Sequence, residues 1–396
     1  MSDQQSRSVC HSPSPAAELR RERILASPRF VDGSFRNTAG VGPGLNPEAG
    51  PLTVREVVSG WSRRTPPGPL PALDPLTPWT RAADSGLRVT WLGHSTMLIE
   101  LDGQRVLTDP VWGQRASPLR FAGPKRFQPV PVAIEALPPL DAVIISHDHY
   151  DHLCRSSVVE LARAQPQLRF YTSLGVGGHL EEWGIAPARI VELDWWERVE
   201  IPRADRRGHI EIVAAPSQHF SGRGLRDRNA TLWSSFVIRN DRHRVFFSGD
   251  TGLTEEYGEI ASRLGPFDLV MLEVGAHHPA WGQIHLGPDN ALQALALLGG
   301  GALLPVHWGT FNLALHAWDQ PAERLIELLP TLTGRSSLLM PKLGAPLEPA
   351  HIDDRLGVQP WWRELAARER SVTTAVDGHE DGESGELPDL PVAPID

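Results

Sequence analysis

The chain has 396 residues, 41% of them hydrophobic, with a formal net charge of −10; that is enough apolar material for one large or two ordinary domains around a real core. The charge excludes a general attraction to nucleic acid or to an anionic membrane, so an anionic ligand has to be drawn by local charge. Cys10 and Cys154 leave no disulfide framework, the N-terminus lacks the apolar centre of a signal peptide, and no run is long enough to span a bilayer, so a cytoplasmic protein is expected.

Residues 1–85 are rich in Pro, Gly, Ser and Arg with little periodicity, which predicts a flexible tip and then an extended arm, with regular structure starting near Leu87. From there L-R-V-T-W-L, T-M-L-I-E-L and Q-R-V-L-T-D read as strands, the last two joined at Asp102-Gly103, a dipeptide suited to a type I′ hairpin turn. Next comes D-A-V-I-I-S from Asp141, a β-branched run too short for several helical turns and therefore a buried strand. It stops at Ser146, and H-x-H-x-D-H follows: His147, His149, Asp151 and His152. Burying so many polar groups side by side without a cation would leave them seeking partners. Imidazole and carboxylate donors without sulfur suit Zn²⁺ and point away from a closed structural site toward a catalytic one.

After this motif a helix at about Ser156–Ala164 leads to the strand R-F-Y-T-S, and a helix ending near Trp183, capped by Gly184, leads to R-I-V-E-L. The strands I-E-I-V-A-A, L-W-S-S-F-V-I, R-V-F-F-S, D-L-V-M-L-E-V and A-L-L-P-V follow, with a turn at Asn240-Asp241 and helices within Glu255–Leu264 and about Asp289–Leu298. Strands in two blocks predict an α/β body over residues 86–370, two sheets face to face with helices outside. The acidic segment 371–396 offers little apolar surface and is expected to be disordered. Several strand-like runs also end in the same way: A-V-I-I-S before His147, I-V-A-A-P-S-Q before His219, V-F-F-S-G before Asp250 and A-L-L-P-V before His307. Strand ends gathered on one edge are where open sites form, so these residues are candidates for the other half of a metal site.

H-x-H-x-D-H after an apolar strand resembles the signature of the metallo-β-lactamase superfamily. Together with W-L-G-H-S-T (Trp91 to Thr96), the segment Leu107 to Phe127, S-G-D-T-G (Ser248 to Gly252) and V-H-W-G-T-F (Val306 to Phe311), it resembles the N-acylphosphatidylethanolamine-hydrolysing phospholipase D branch and its bacterial relatives, from about Phe30 to about Trp362. The resemblance implies a four-layer αβ/βα sandwich with two zinc ions per chain. His147, His149 and His219 would hold one, Asp151, His152 and His307 the other, and Asp250 would bridge them. A phosphodiester would then be cleaved by a metal-bridging hydroxide, with the zinc ions also stabilising the phosphate charge. A lactone or other carbonyl-ester hydrolase on the same platform is the alternative; the segment from Leu107 to Phe127 favours the phosphodiester.

Four further expectations concern support and substrate. Asp109, ending V-L-T-D, is placed to accept from a ligand imidazole, or else is a turn former before Pro110. His285 matches a family position near the substrate and could bind phosphate or assist the leaving group. Trp281 and Trp308 lie close in sequence to site residues and could meet an acyl chain, and Lys125 and Arg126, between Phe121 and Phe127, could meet an anionic headgroup. His94, His277 and His278 carry no assigned role. The expected partner is a small-molecule or lipid substrate, with peripheral membrane contact open and no nucleic acid.

Overall fold

The computed structural model describes residues 14–42, 53, 60–205, 208–224, 226–281, 283–352 and 358–365. The tip with Cys10 and the acidic tail 371–396 lie outside the described residues. Two seven-stranded sheets make the body. The first contains β3 (Leu87–Gly93), β4 (Thr96–Leu101), β5 (Gln104–Thr108), β6 (Ala142–Ile145), β7 (Phe170–Ser173) and β8 (Ile190–Leu193), with β16 (Pro346–Leu347) on the edge beside β3. The second runs from β9 (Arg198–Pro202) through β10 (His209–Ala215), β11 (Ser235–Arg239), β12 (Arg244–Phe247), β13 (Leu269–Glu273) and β14 (Ala302–Val306) to β15 (Ser337–Leu338).

Alternation along each strand builds the layers, because successive side chains leave a strand on opposite faces. In β6, Val143 and Ile145 pack with Val158 and Leu161 of the outer helix Arg155–Ala164. Ala142 and Ile144 instead join the core that holds Ile212, Phe236 and Phe246 of the second sheet. The result is the helix–sheet–sheet–helix sandwich expected from the sequence. Asp102 and Gly103 both have positive φ, 46° and 88°, as a type I′ turn requires.

Each sheet begins as an antiparallel meander and ends parallel. Strands β5 to β8 run parallel in the first sheet and β12 to β15 in the second. Parallel neighbours need crossovers, supplied here by Arg155–Ala164 and Gly177–Glu182 in the first sheet and Glu256–Leu264, Gly287–Leu297 and Gln320–Leu328 in the second. Crossovers of one sense bring the carboxyl ends of parallel strands to one edge, where ligands of α/β proteins bind. Asp109 follows β5, His147 follows β6, Glu273 ends β13 and His307 follows β14.

Regular structure begins well before Leu87. Helix α1 (Pro15–Ala26) starts on Ser14, whose hydroxyl accepts from Ala17 N at 3.1 Å, with proline in the first turn. It has no fully buried residue and is fastened instead by charge: Arg20 pairs with Glu181 at 2.5 Å and Glu192 at 2.6 Å, and Arg23 pairs with Glu197. A helix with no apolar stripe leaves no periodicity to read, which is why the sequence suggested an extended arm. A short hairpin, β1 (Phe30–Val31) with β2 (Ser34–Phe35), then seats Phe35 among Leu174, Leu232 and Trp233. Among the described residues no helix is long and apolar enough to cross a membrane.

Candidate metal centre

The loop after β6 turns back on itself, with His152 N and Leu153 N both donating to His149 O at 3.1 and 2.8 Å. This folds His147, His149, Asp151 and His152 onto one side. His147 Nε2 comes within 2.9 Å of His149 Nδ1, and His219 Nε2, from beyond β10, within 3.2 Å of the same atom. On the other side Asp151 Oδ2 lies 3.5 Å from His152 Nε2 and 3.2 Å from His307 Nε2. Asp250 Oδ2 stands between the groups, 3.9 and 3.8 Å from His147 and His219 and 3.2 and 3.1 Å from His152 and His307. The seven residues singled out in the sequence thus converge. His94, left without a role there, joins them with Nε2 3.0 Å from Asp151 Oδ2.

The back nitrogens of His147, His152 and His219 are engaged as well, which fixes which nitrogen of these three rings faces inward, whereas Nδ1 of His94 and of His307 is buried without a hydrogen-bond partner among the described residues. Asp109 is fully buried and holds the loop in three places: it accepts from Ser146 N and Ser146 Oγ at 2.7 Å each and stands 2.7 Å from His152 Nδ1. Ser146 Oγ lies 2.9 Å from His147 Nδ1, and the Ile284 carbonyl 2.9 Å from His219 Nδ1. His94, Asp109 and His307 all adopt left-handed backbone, φ 54°, 34° and 62°. Such strain costs about 1–3 kcal/mol per residue outside glycine and persists where surroundings impose it, commonly at functional sites. Gly275 lets the chain pass: a Cβ there would fall 1.8 Å from His307 O.

Charge divides the centre. Burial drives His147 and His219 well below the ordinary imidazole range and lowers His149. Burial also pulls on His152 and His307, but Asp250, Asp151 and, at His152, Asp109 outweigh it, raising His152 well above the ordinary range and His307 to about 10. The two carboxylates answer in kind. Burial would raise Asp151 and Asp250, yet His152 and His307 hold both well below the usual carboxylate range. Neutral imidazoles on one side, and carboxylates that gather positive charge on the other, are donor sets that suit divalent cations. His152 Nε2 and Asp250 Oδ1 are buried without a hydrogen-bond partner among the described residues, as atoms facing a cation would be. Three groups of donors lie close enough to hold an ion: His147, His149, His219 and Asp250; His94, Asp151, His152 and His307; and Asp250, Glu273, His285 and His307, which shares Asp250 with the first and His307 with the second.

Glu273 was missed in the sequence because a carboxylate closing an apolar strand carries no local motif. It is 0% exposed. Its Oε1 accepts from Thr251 N at 3.0 Å and Leu286 N at 3.1 Å, and its Oε2 lies 2.8 Å from His285 Nδ1. His285 is thereby oriented beside the centre, its ring 5.0 Å from that of His219. Burial pulls the His285 imidazole down, but Glu273 outweighs it and raises it.

Trp308 is 4% exposed and stacks on Trp91 at 5.3 Å, with Trp361 and Trp362 around it, so its ring is core and not an acyl-facing wall. Arg126 is buried too: its Nε and Nη2 donate to the carbonyls of Gly113 and Val111 and its guanidinium lies over Phe311, so its charge sits inside the protein. Lys125 stays exposed on the loop, bridged through its backbone to Arg115. Trp281 is half-buried, and its carbonyl accepts from His285 N at 3.0 Å.

The chain is similar to known proteins. An uncharacterized protein of Mycobacterium tuberculosis is 43% identical over 344 residues, covering 85% of this chain and 88% of that protein. The N-acyl-phosphatidylethanolamine-hydrolyzing phospholipase D 1 of Caenorhabditis elegans is 36% identical over 327 residues, 79% of this chain and 88% of that protein. Among solved structures, an isothiocyanate hydrolase from Delia radicum gut bacteria superposes with a TM-score of 0.51 at 20% identity, covering 66% of this chain and 98% of that one, a likeness of fold. The family model of the beta-lactamase superfamily domain matches residues 104–308, the span that carries nearly the whole centre, and the chain belongs to that superfamily of metallo-hydrolases.

Proposed function

We propose that this chain is a phosphodiesterase of phospholipase D type that binds two zinc ions and cleaves N-acylphosphatidylethanolamine-like lipids. The observation that carries the reading is the shared carboxylate: Asp250 Oδ2 stands within 3.9 Å of imidazole nitrogens in both donor groups. In this reading His147, His149 and His219 hold one ion, Asp151, His152 and His307 the other, and Asp250 joins them, with His94 steadying Asp151. The all-nitrogen and oxygen donor set favours zinc over softer metals. When bound, such a pair makes a nucleophile available near neutral pH and offsets charge on the phosphate.

The chain's own residues would do the rest. Asp109 and the Ile284 carbonyl keep His152 and His219 aimed inward. Glu273 occupies Nδ1 of His285 and leaves the Nε2 edge for the substrate, where it can bind a phosphate oxygen or hand a proton to the leaving oxygen. Trp281 stands next to it as a contact for the acyl arm. A cavity of about 670 Å³ beside Tyr150, next to the donor loop but lined by none of the metal donors, is bordered by Arg115, Arg120, Arg155 and Arg223 against the single carboxylate of Glu182, which supports attraction of an anionic headgroup despite the acidic whole. Phe121, 80% exposed, and Leu119 rise from the same loop and support peripheral contact with a lipid surface, with Lys125 close by.

The test is a zinc-loaded preparation given a series of phosphodiesters that differ only in acyl length, beside a matching lactone series. Each buried methylene is worth roughly 0.8 kcal/mol, so removing two or three should lower kcat/KM by about tenfold or more. A flat phosphodiester series with rapid lactone turnover would replace this reading with a lactone or carbonyl-ester hydrolase.

A further inference from the structure

His219 is reached from β10 across Pro216, Ser217 and Gln218, outside any strand ladder. Its backbone still has two partners, both on one side chain that is 182 residues away in sequence. Asn37 Oδ1 accepts from His219 N at 3.0 Å, and Asn37 Nδ2 donates to His219 O at 2.8 Å. This is the two-bond pairing a neighbouring strand would give, made instead by one primary amide. The same amide also donates to Val41 O at 2.8 Å and accepts from Trp233 Nε1 at 3.1 Å. Two donors and two acceptor sites are all an amide possesses, so its orientation is fully determined. Asn37 is 6% exposed.

The segment that leads to Asn37 is anchored in its own right. Phe35 N donates to Asn229 O at 2.9 Å, and Asn229 Nδ2 returns a bond to Phe35 O at 3.2 Å, while Asn229 Oδ1 accepts from Ser221 N, two residues past His219. Upstream, α1 is bolted by Arg20 to Glu181 and Glu192, which belong to the first sheet's half of the molecule. The arm therefore ties the half that carries His147 and His149, through Glu181 and Glu192, to the half that carries His219, whose Nε2 lies 3.2 Å from His149 Nδ1.

We propose that Asn37 is a positioning residue of the metal centre: by fixing the His219 backbone it sets where Nε2 stands against His147 and His149, which makes the N-terminal arm part of the first metal site. The inference rests on the reading that these three imidazoles share an ion, and it is independent of the substrate. Altered residues that orient metal ligands from behind lower metal affinity about 10- to 100-fold, and that loss is expected for one of two zinc ions in Asn37→Ala, read by competition with a chromophoric chelator. The absorption bands of the cobalt(II)-loaded protein should change with it, a readout that general destabilisation of a folded protein would not move. Thr38→Ala is the control: Thr38 Oγ1 donates to Glu256 Oε1 at 2.7 Å, so its loss loosens the arm without touching His219 and should leave both zinc affinities as they were. If Asn37→Ala does not fold, Asn37→Asp keeps the oxygen that accepts from His219 N, turns an acceptor toward the carbonyls of His219 and Val41, and should weaken the same ion. A parent that binds two ions and a folded variant that matches it, or that loosens both ions alike, overturns this inference alone. A parent that binds no zinc overturns the metal reading and this inference with it.

Discussion

In the loop after β6, His147, His149, Asp151 and His152 come from one short stretch, whereas the facing half of the centre sends His219, Asp250 and His307 singly from beyond β10, β12 and β14. The loop is held by its own turn and by Asp109, which follows the neighbouring strand β5. The facing half is held by register: Phe247 lies opposite Met271 and Glu273 opposite Val306, which brings Asp250, Glu273 and His307 to one level at the strand ends. A slip of one residue would turn every side chain of a strand to the other face. One half is therefore a motif and the other a consequence of the sheet, and they meet at Asp250.

The largest effect should come from that meeting point. Asp250→Asn keeps the shape and removes the shared charge, so both ions should be lost or loosened and activity should fall by roughly 100-fold or more. His219→Ala and His307→Ala should each keep about one ion by elemental analysis. An Asp250→Asn variant with two ions and normal turnover would break the comparison, since neither half would then need the shared group.

Asp109→Ala tests the local half. It strips three contacts from a buried loop, and it should weaken metal binding about 10- to 100-fold while also lowering stability by a few kcal/mol in denaturant titration. Unchanged metal binding would mean that the loop turn alone holds His152.

Glu273→Gln tests the sheet-borne half. Two backbone N–H groups already claim the oxygen at Oε1, so a glutamine would turn its NH₂ toward His285 Nδ1 and force the opposite tautomer. A fall in kcat of about tenfold or more with KM within about threefold is expected. Equal loss in stability and none in kcat would leave Glu273 a purely structural carboxylate.

A smaller effect concerns protons. In the metal-free protein His307, raised to about 10, and His152 carry protons at neutral pH because Asp250 and Asp151 outweigh burial. A metal ion must displace them, so affinity should rise with pH, and calorimetry in two buffers of different ionisation heat should detect release of about one proton or more per chain at pH 7. No release would contradict the division of charge across the centre. Smallest of all, Trp308→Phe should lower stability modestly, by about 1 kcal/mol, and leave KM alone, in keeping with a ring stacked on Trp91 inside the core.

The sequence by itself determined the local features: the hairpin at Asp102-Gly103, the strand that ends at Ser146, the spacing of donors in the loop after it, and the recurrence of His or Asp just past an apolar run. These are legible because turn conformation, strand burial and short-range spacing depend on neighbours in the chain. The tertiary structure alone decided that His94 faces Asp151, that Glu273 aims His285, that Asn37 braces His219, and that Arg126 and Trp308 turn inward rather than toward a substrate. It also decided that α1 is a helix, held by ion pairs to Glu181 and Glu192 rather than by an apolar face. Each of these rests on a hydrogen bond, an ion pair or a ring contact between groups far apart in the chain. A single donor or acceptor looks the same in sequence whether its partner is water, a backbone carbonyl or a ligand ring, and only packing selects among them.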